Sequence, residues 1–353
     1  MRWRARAAAG VLAVLAIGAG GVVPAEAAPA AVPATDREVR FDADGTTTYG
    51  TVHVPAHRPG ARLAAALLLP GSGPTDRNGN EPPALTPDTL RLIAEELGED
   101  GVMTLRFDKY GTGQTGLGRF ADDPGRIDMD AFTRQAVAAY DTLRAQPETD
   151  ARALLVVGHS EGGLHALLLA DRVAQRPAGL ALLAPQDIRL LDMVDYQLAR
   201  QLDQDVALGV ITEEQARTSK AAITRAIADF RAERPVDLTG IVPQLALFLG
   251  QLFGPIARFT RTDDAIYPPD VARRVQRGTR VTVTCGTADV NVPCATTPPL
   301  LGALTLAGTS GPGLRVLPGL DHFFHPAGTS INDQVLAESA QRALHEFARP
   351  WRR

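Results

Sequence analysis

Lysine is nearly missing from this chain. Only Lys109 and Lys220 occur among 353 residues, although 36 basic residues face 40 acidic ones, so almost every cation is arginine. There is no basic excess, aromatics make up 5% of the chain and no arginine cluster interleaves with them. That excludes both the electrostatic footprint and the stacking platform of a nucleic-acid binder. The arginine bias accompanies abundant Ala, Gly and Pro and reads as general composition. Cysteine is almost absent too: Cys285 and Cys294 are the only two, which excludes a disulfide-dense scaffold or a cysteine-rich zinc site. The seven histidines do not pair at ligand spacing with each other or with the cysteines, so neither a metal nor another cofactor is expected. Long apolar runs are lacking as well. Val11 to Val23 spans thirteen positions, three of them glycine, short of the ~20 residues that cross a bilayer. What is there, 45% hydrophobic and 22% charged residues, suits a globular domain with a sizeable core.

The N-terminus reads as a targeting segment. Arg2, Arg4 and Arg6 precede the apolar stretch and Ala25-Glu26-Ala27 follows it, the three regions of a secretory signal. Residues 1–27 are expected to be removed, giving a secreted protein with no stable membrane anchor. No cysteine lies near the cut and no arginine pair suggests twin-arginine export. The remaining chain would carry 33 basic against 39 acidic residues, a net charge of −6. The Ala- and Pro-rich residues 28–36 form an expected flexible lead to one domain over 37–353.

Along that domain, apolar runs of strand length alternate with longer amphipathic segments, which predicts an α/β fold with a mostly parallel sheet and helices on both faces. Strands are expected at 37–42, 47–54, 63–69, 102–107, 153–158, 179–184, 280–285 and 313–317, eight in all. Helices are expected at 88–99, 128–145, 161–175, 295–307 and 331–348. From Asp187 to Arg277 no strand is evident and several helices are. Ninety residues exceed any ordinary loop, so about 187–277 is expected to be an inserted helical cap. Within it, Ile241 to Phe259 is apolar on nearly all sides and is expected to line an apolar acyl pocket.

The strongest chemical signal is Gly158-His159-Ser160-Glu161-Gly162-Gly163, preceded by the apolar run Leu154 to Val157 and followed by a helical Leu164 to Leu169. This is G-x-S-x-G in a strand-to-helix setting, in which Ser160 sits on a strained turn and the glycines keep side chains out of the crossing. The plain alternative is a strand-to-helix turn with serine as its N-cap. Two further stretches stand out: Pro70-Gly71-Ser72-Gly73-Pro74-Thr75-Asp76-Arg77-Asn78-Gly79-Asn80 and Arg106-Phe107-Asp108-Lys109-Tyr110-Gly111-Thr112-Gly113.

With these motifs the chain resembles the α/β-hydrolase superfamily, and more narrowly its secreted bacterial serine esterases, from about residue 37 to the end. The resemblance implies that fold and an acyl-transfer reaction on a small-molecule ester, but leaves the substrate open. Ser160 is then the expected nucleophile. The amides of Glu161 and, by resemblance, Ser72 would form the oxyanion hole, where one donor is worth roughly 10²–10³ in rate. The fold's order of Ser, acid, His leaves His322, His325 and His345 as possible bases. His345 falls inside the last helix, whereas His322 in Pro318-Gly319-Leu320-Asp321-His322 resembles the family's histidine loop. His325 is the alternative. The family's acid position beyond the seventh strand falls on Asp289. Asp321 is its rival, but directly precedes His322, and Asp108 is expected to be an ion-paired buttress.

Three other readings compete. Gly111-Thr112-Gly113-Gln114-Thr115-Gly116 fits G-x-G-x-x-G, yet no helix opens there, as a dinucleotide site requires. A non-catalytic binding protein on the same fold would be expected to lack one of the three groups. Serine aminopeptidase or thioesterase activity on the same residues stays open, while Ser rather than Asp at the elbow argues against epoxide and haloalkane hydrolysis. In an oxidising compartment Cys285 and Cys294 have only each other as intrachain partners. Their bridge would close the segment holding Asp289 and stabilise the fold by about 2.7 kcal/mol. Two buried free thiols are the alternative.

Overall fold

All eight expected strands form, and they make one sheet. The protein is seen in a computed structural model that describes residues 30–352, so the expected signal segment 1–27 lies outside the described residues. In chain order the strands are β1 (Thr35–Ala43), β2 (Thr46–Val54), β3 (Leu63–Leu69), β4 (Met103–Phe107), β5 (Thr149–His159), β6 (Gly179–Leu183), β7 (Arg280–Gly286) and β8 (Ser310–Leu317). They lie side by side as β1-β2-β4-β3-β5-β6-β7-β8. The β1–β2 and β2–β4 pairs are antiparallel and the rest parallel. β3, β4 and β6 are buried along their whole length, which is why they read as unbroken apolar runs. The lead shortens, since Val32 already exchanges backbone hydrogen bonds with His57 and β1 opens at Thr35.

The helices are α1 (Thr89–Glu99), α2 (Met129–Arg144), α3 (Glu161–Arg172), α4 (Leu190–Ala207), α5 (Glu213–Arg231), α6 (Pro243–Phe253), α7 (Ala257–Asp264), α8 (Pro268–Ala272), α9 (Pro298–Ala307) and α10 (Glu338–Ala348). α2, α3, α8 and α9 cover one face of the sheet, where Tyr140, Leu143, Leu164 and Leu300 pack on Leu67, Val156 and Val283. α1 and α10 cover the other through Leu90, Ile93, Leu97, Leu344 and Phe347. The last helix starts later than expected. Residues 331–337 run as loop, because Leu336 is buried against that second face and Asn332 bonds the chain near Thr86.

Helices α4 to α8 fill the interval between β6 and β7, and α4, α5 and α6 own a separate apolar core. A Thr212/Gln215 capping box starts α5, and Phe230 stacks on Phe253 at 4.5 Å. Arg231 grips Asp264 with two hydrogen bonds of 2.8 Å, tying α5 to α7. Among the described residues no helix is long and apolar enough to cross a membrane.

Backbone packs directly on backbone where β5 crosses into α3. A Cβ on Gly158 would lie 2.1 Å from the Gly162 carbonyl oxygen, and one on Gly162 would lie 2.2 Å from that of Leu69. Gly162→Ala should therefore cost roughly 3 kcal/mol or more, because a backbone carbonyl cannot move aside as a side chain can. Gly302→Ala, where a Cβ meets nothing within 4 Å, should instead stabilise by roughly 0.5–1 kcal/mol through helix propensity. Urea unfolding of both variants checks the pair, and equal midpoints would contradict the crossing.

Candidate active site

Ser160 sits at φ 57°, ψ −125°, a conformation a residue with a Cβ adopts only under constraint. The constraint is visible: its amide donates to the Leu183 carbonyl at 3.0 Å, and its carbonyl accepts from Gly163 at 2.9 Å and Gln186 at 3.0 Å. Gly71, at the turn leaving β3, faces it so closely that a Cβ there would stand 3.2 Å from the Ser160 Cβ. Ser160 thus stands at the carboxyl edge of the sheet between β3 and β6, as the strand-to-helix motif predicts.

The other expected residues arrive from the far side of the sheet. β7 ends at Gly286 and delivers Asp289, whose Oδ1 accepts the amides of Asn291 and Val292, each at 2.8 Å. Its Oδ2 lies 2.8 Å from Nδ1 of His322, in the loop after β8. Both residues are buried, at 5% and 7% exposure. A carboxylate can only accept, so Nδ1 carries the proton and Nε2 is left as an acceptor. Cys285 and Cys294 are joined, with Cα atoms 5.3 Å apart, across the loop carrying Asp289. Ser160, His159, His322, Gly71 and Ser72 line one cavity of about 240 Å³, with Thr75, Glu81, Gln197, Asn291 and Phe323 among its other walls. Glu161 opens α3 directly behind Ser160. Among the described residues neither the Ser72 nor the Glu161 amide is committed to a backbone acceptor.

The alternatives fall elsewhere. His325 is fully buried with Nδ1 3.5 Å from Asp321 Oδ2 and does not line this cavity. Asp321 accepts the amides of Phe323 and His325 and shapes their turn. His345 meets Asp100 at 2.9 Å on α10. Asp108 is the expected buttress, receiving Arg77 Nη2 at 2.8 Å and the Gln114 amide at 2.9 Å. Burial would raise its carboxyl, but Arg77 and the two amides outweigh that and lower it. The Gly111–Gly116 segment closes on itself as a turn, with the Gly111 amide donating to the Gly116 carbonyl.

One expectation is corrected. Nothing from Ile241 to Phe259 lines the cavity at Ser160. One face of α6 is spent on the insertion's own core, where Leu249 and Leu252 are buried and Phe253 meets Phe230. Phe248, 44% exposed, lines a neighbouring cavity of about 760 Å³. The two cavities share Gln197 and Asn291, and Gln197 of α4 donates to the Asn291 carbonyl at 3.0 Å.

Two residues escape a reading of motifs alone. His159 is buried, its Nε2 donates to the His322 carbonyl at 2.8 Å, and the two rings are 4.8 Å apart. Burial, and then the nearby His322, push its ring down to about 3, so it stays neutral. Lys109 is buried and donates from Nζ to the Gly71 carbonyl at 2.5 Å. Its scarcity and its place in the Arg106–Gly113 stretch were the available signals.

The family described as "Serine aminopeptidase, S33" matches residues 88–202, short of half the chain. No curated protein sequence matches significantly. Similar folds occur in Est1E from Butyrivibrio proteoclasticus with ferulic acid bound (17% identity, 89% of this chain, 98% of that one, TM-score 0.55). The Pyrococcus furiosus esterase Pf2001 is comparable (16%, 90% and 91%, TM-score 0.56), as is dienelactone hydrolase from Anabaena variabilis (16%, 91% and 100%, TM-score 0.51). Sheet order, the strained serine at the β5–α3 turn and these likenesses agree: the chain has the α/β-hydrolase fold.

Proposed function

We propose that the protein is a serine hydrolase that cleaves carboxylic esters of small molecules through an acyl-serine intermediate. The observation that carries this is the buried 2.8 Å contact of His322 Nδ1 with Asp289, in a cavity shared with the strained Ser160. Nε2 of His322 takes the Ser160 proton as Oγ bonds to the ester carbonyl carbon. The resulting oxyanion is held by the amides of Ser72 and Glu161. The carbon–oxygen bond to the alcohol then breaks, and His322 returns the proton to the departing oxygen. Water, deprotonated by His322, attacks the acyl-serine, and release of the acid restores the hydroxyl of Ser160. Asp289 orients the ring and stabilises its cationic form without taking the proton.

A cavity of about 240 Å³ favours short acyl groups over long chains. The disulfide supports an oxidising compartment, consistent with export by residues 1–27. A second reading, aminopeptidase, is favoured by the matching family and by Glu81, a cavity-lining residue that would pair with a substrate ammonium.

Ser160→Ala should abolish turnover of p-nitrophenyl acetate and labelling by a fluorophosphonate; persistent labelling at one defined residue with retained turnover would refute the nucleophile. A substrate panel separates the two readings: p-nitrophenyl acetate and butyrate should outpace both the palmitate ester and aminoacyl p-nitroanilides, and faster anilides would favour the aminopeptidase. Cys294→Ser should lower the melting temperature and kcat together by loosening the loop at Asp289, where small misplacement costs up to ~10²-fold.

Acid stability offers an independent check. The unfolded chain's His159 titrates near 6.5 and the folded ring at about 3, so the unfolded state binds more protons between those values. Stability from this group is complete above 6.5 and declines as pH falls toward 3, by an amount on the order of a few kcal/mol. His159→Gln, which keeps a donor for the His322 carbonyl, should flatten that decline in urea titrations at pH 4 and 7.

A further inference from the structure

We propose that Lys109 is a positioning residue of the oxyanion hole, acting through the Gly71–Ser72 peptide with buried Glu161 as its counter-charge. The inference rests on the reading of the Ser72 and Glu161 amides as the oxyanion donors. Lys109 Nζ donates to the Gly71 carbonyl at 2.5 Å. That carbonyl and the Ser72 N–H belong to one peptide unit, which is trans; they therefore point to opposite sides of a rigid plane. Fixing the oxygen fixes the direction of the N–H. A cation on the oxygen also draws electron density from the amide and strengthens the N–H as a donor, since bonds in a chain polarise one another in a low-dielectric site.

The surroundings fit this task. Lys109 is 5% exposed, with Nζ 5.4 Å from the centre of the Phe132 ring. Burial pushes its ammonium down, and the charges of Glu161 and Glu81 oppose that shift. Burial alone would raise the Glu161 carboxyl, but His165, with Nε2 3.4 Å from Oε1, and Lys109 outweigh it and hold it below its ordinary value. Asp263, also buried, has its carboxyl pushed up from its ordinary value by burial and then by Glu161. One Glu161 oxygen, Oε2, has no hydrogen-bond partner among the described residues. An apolar pair would pack such a place without leaving a buried oxygen unbonded. The arrangement instead places a positive charge behind one proposed donor and its counter-charge on the residue that supplies the other.

Lys109→Met should lower kcat on p-nitrophenyl acetate by ~10–100-fold with KM changed less than about two-fold, because the lost interaction belongs to the transition state. Affinity for a phenylboronic acid, which forms a tetrahedral adduct on serine, should fall in parallel. Removing the cation alone strands the Glu161 charge, so Lys109→Met/Glu161→Gln is made as well and should melt closer to the parent while kcat stays low. A double variant with parental kcat and boronate affinity would overturn the proposal, as would a rise in KM at unchanged kcat. Ser160→Ala, assayed alongside, keeps the two claims apart: an active Ser160→Ala sinks the serine mechanism, whereas an inactive one beside a fully active double variant sinks only the role of Lys109.

Discussion

The close crossing of β3, β5 and α3 governs this molecule. The Leu69 carbonyl stands 2.2 Å from where a Gly162 Cβ would be, and Gly158 meets Gly162 as tightly. Only bare backbone passes through that space. The chain is therefore forced to turn within one residue, and Ser160 takes the positive φ that the turn demands. Three backbone hydrogen bonds over-determine that conformation, so the strain is held by the sheet. The same closeness brings the Gly71 turn beside Ser160, and with it the Ser72 amide proposed as an oxyanion donor.

Beneath that crossing lies a small group of charges that an apolar core would not hold without reason. Lys109, Glu161, His165 and Asp263 are all buried, and each unpaired charge there would carry a large desolvation cost. The opposed pulls on Lys109 and Glu161 balance cation against anion, while burial pushes the Asp263 carboxyl up and it accepts from Gln186 at 2.8 Å. Such networks rigidify a site because a partial opening leaves groups unsatisfied. The candidate site thus has two supports: tight backbone packing above and a compensated charge pair below.

The helical insertion behaves differently. It folds around its own core and lends the cavity at Ser160 a single amide side chain, that of Gln197. Leu247 at 72% and Phe248 at 44%, two of its exposed apolar residues, do not line that cavity. Polar contacts, among them Arg258 with Asp128 and Gln197 with Asn291, hold it to the rest.

Much of this was legible in the order of residues. The unbroken apolar runs of β3, β4 and β6 were plain because burial on both faces leaves little choice of residue, and the edge strand β1 showed instead as alternation. The glycines flanking Ser160 marked the turn because no other residue fits there. Cys285 and Cys294 could be paired because they had no other intrachain partner. What sequence could not determine depends on distance across the chain. Periodicity marked Ile241–Phe259 as needing burial but not what would bury it, and the answer, α5, lies outside that segment. The role of His159 required the fold to bring the His322 carbonyl 163 residues along the chain to within 2.8 Å. Lys109 stood out as a rare residue in a motif, yet only tertiary packing set its ammonium on the Gly71 carbonyl and beside the Glu161 charge, because electrostatic partners are chosen by space and not by sequence separation.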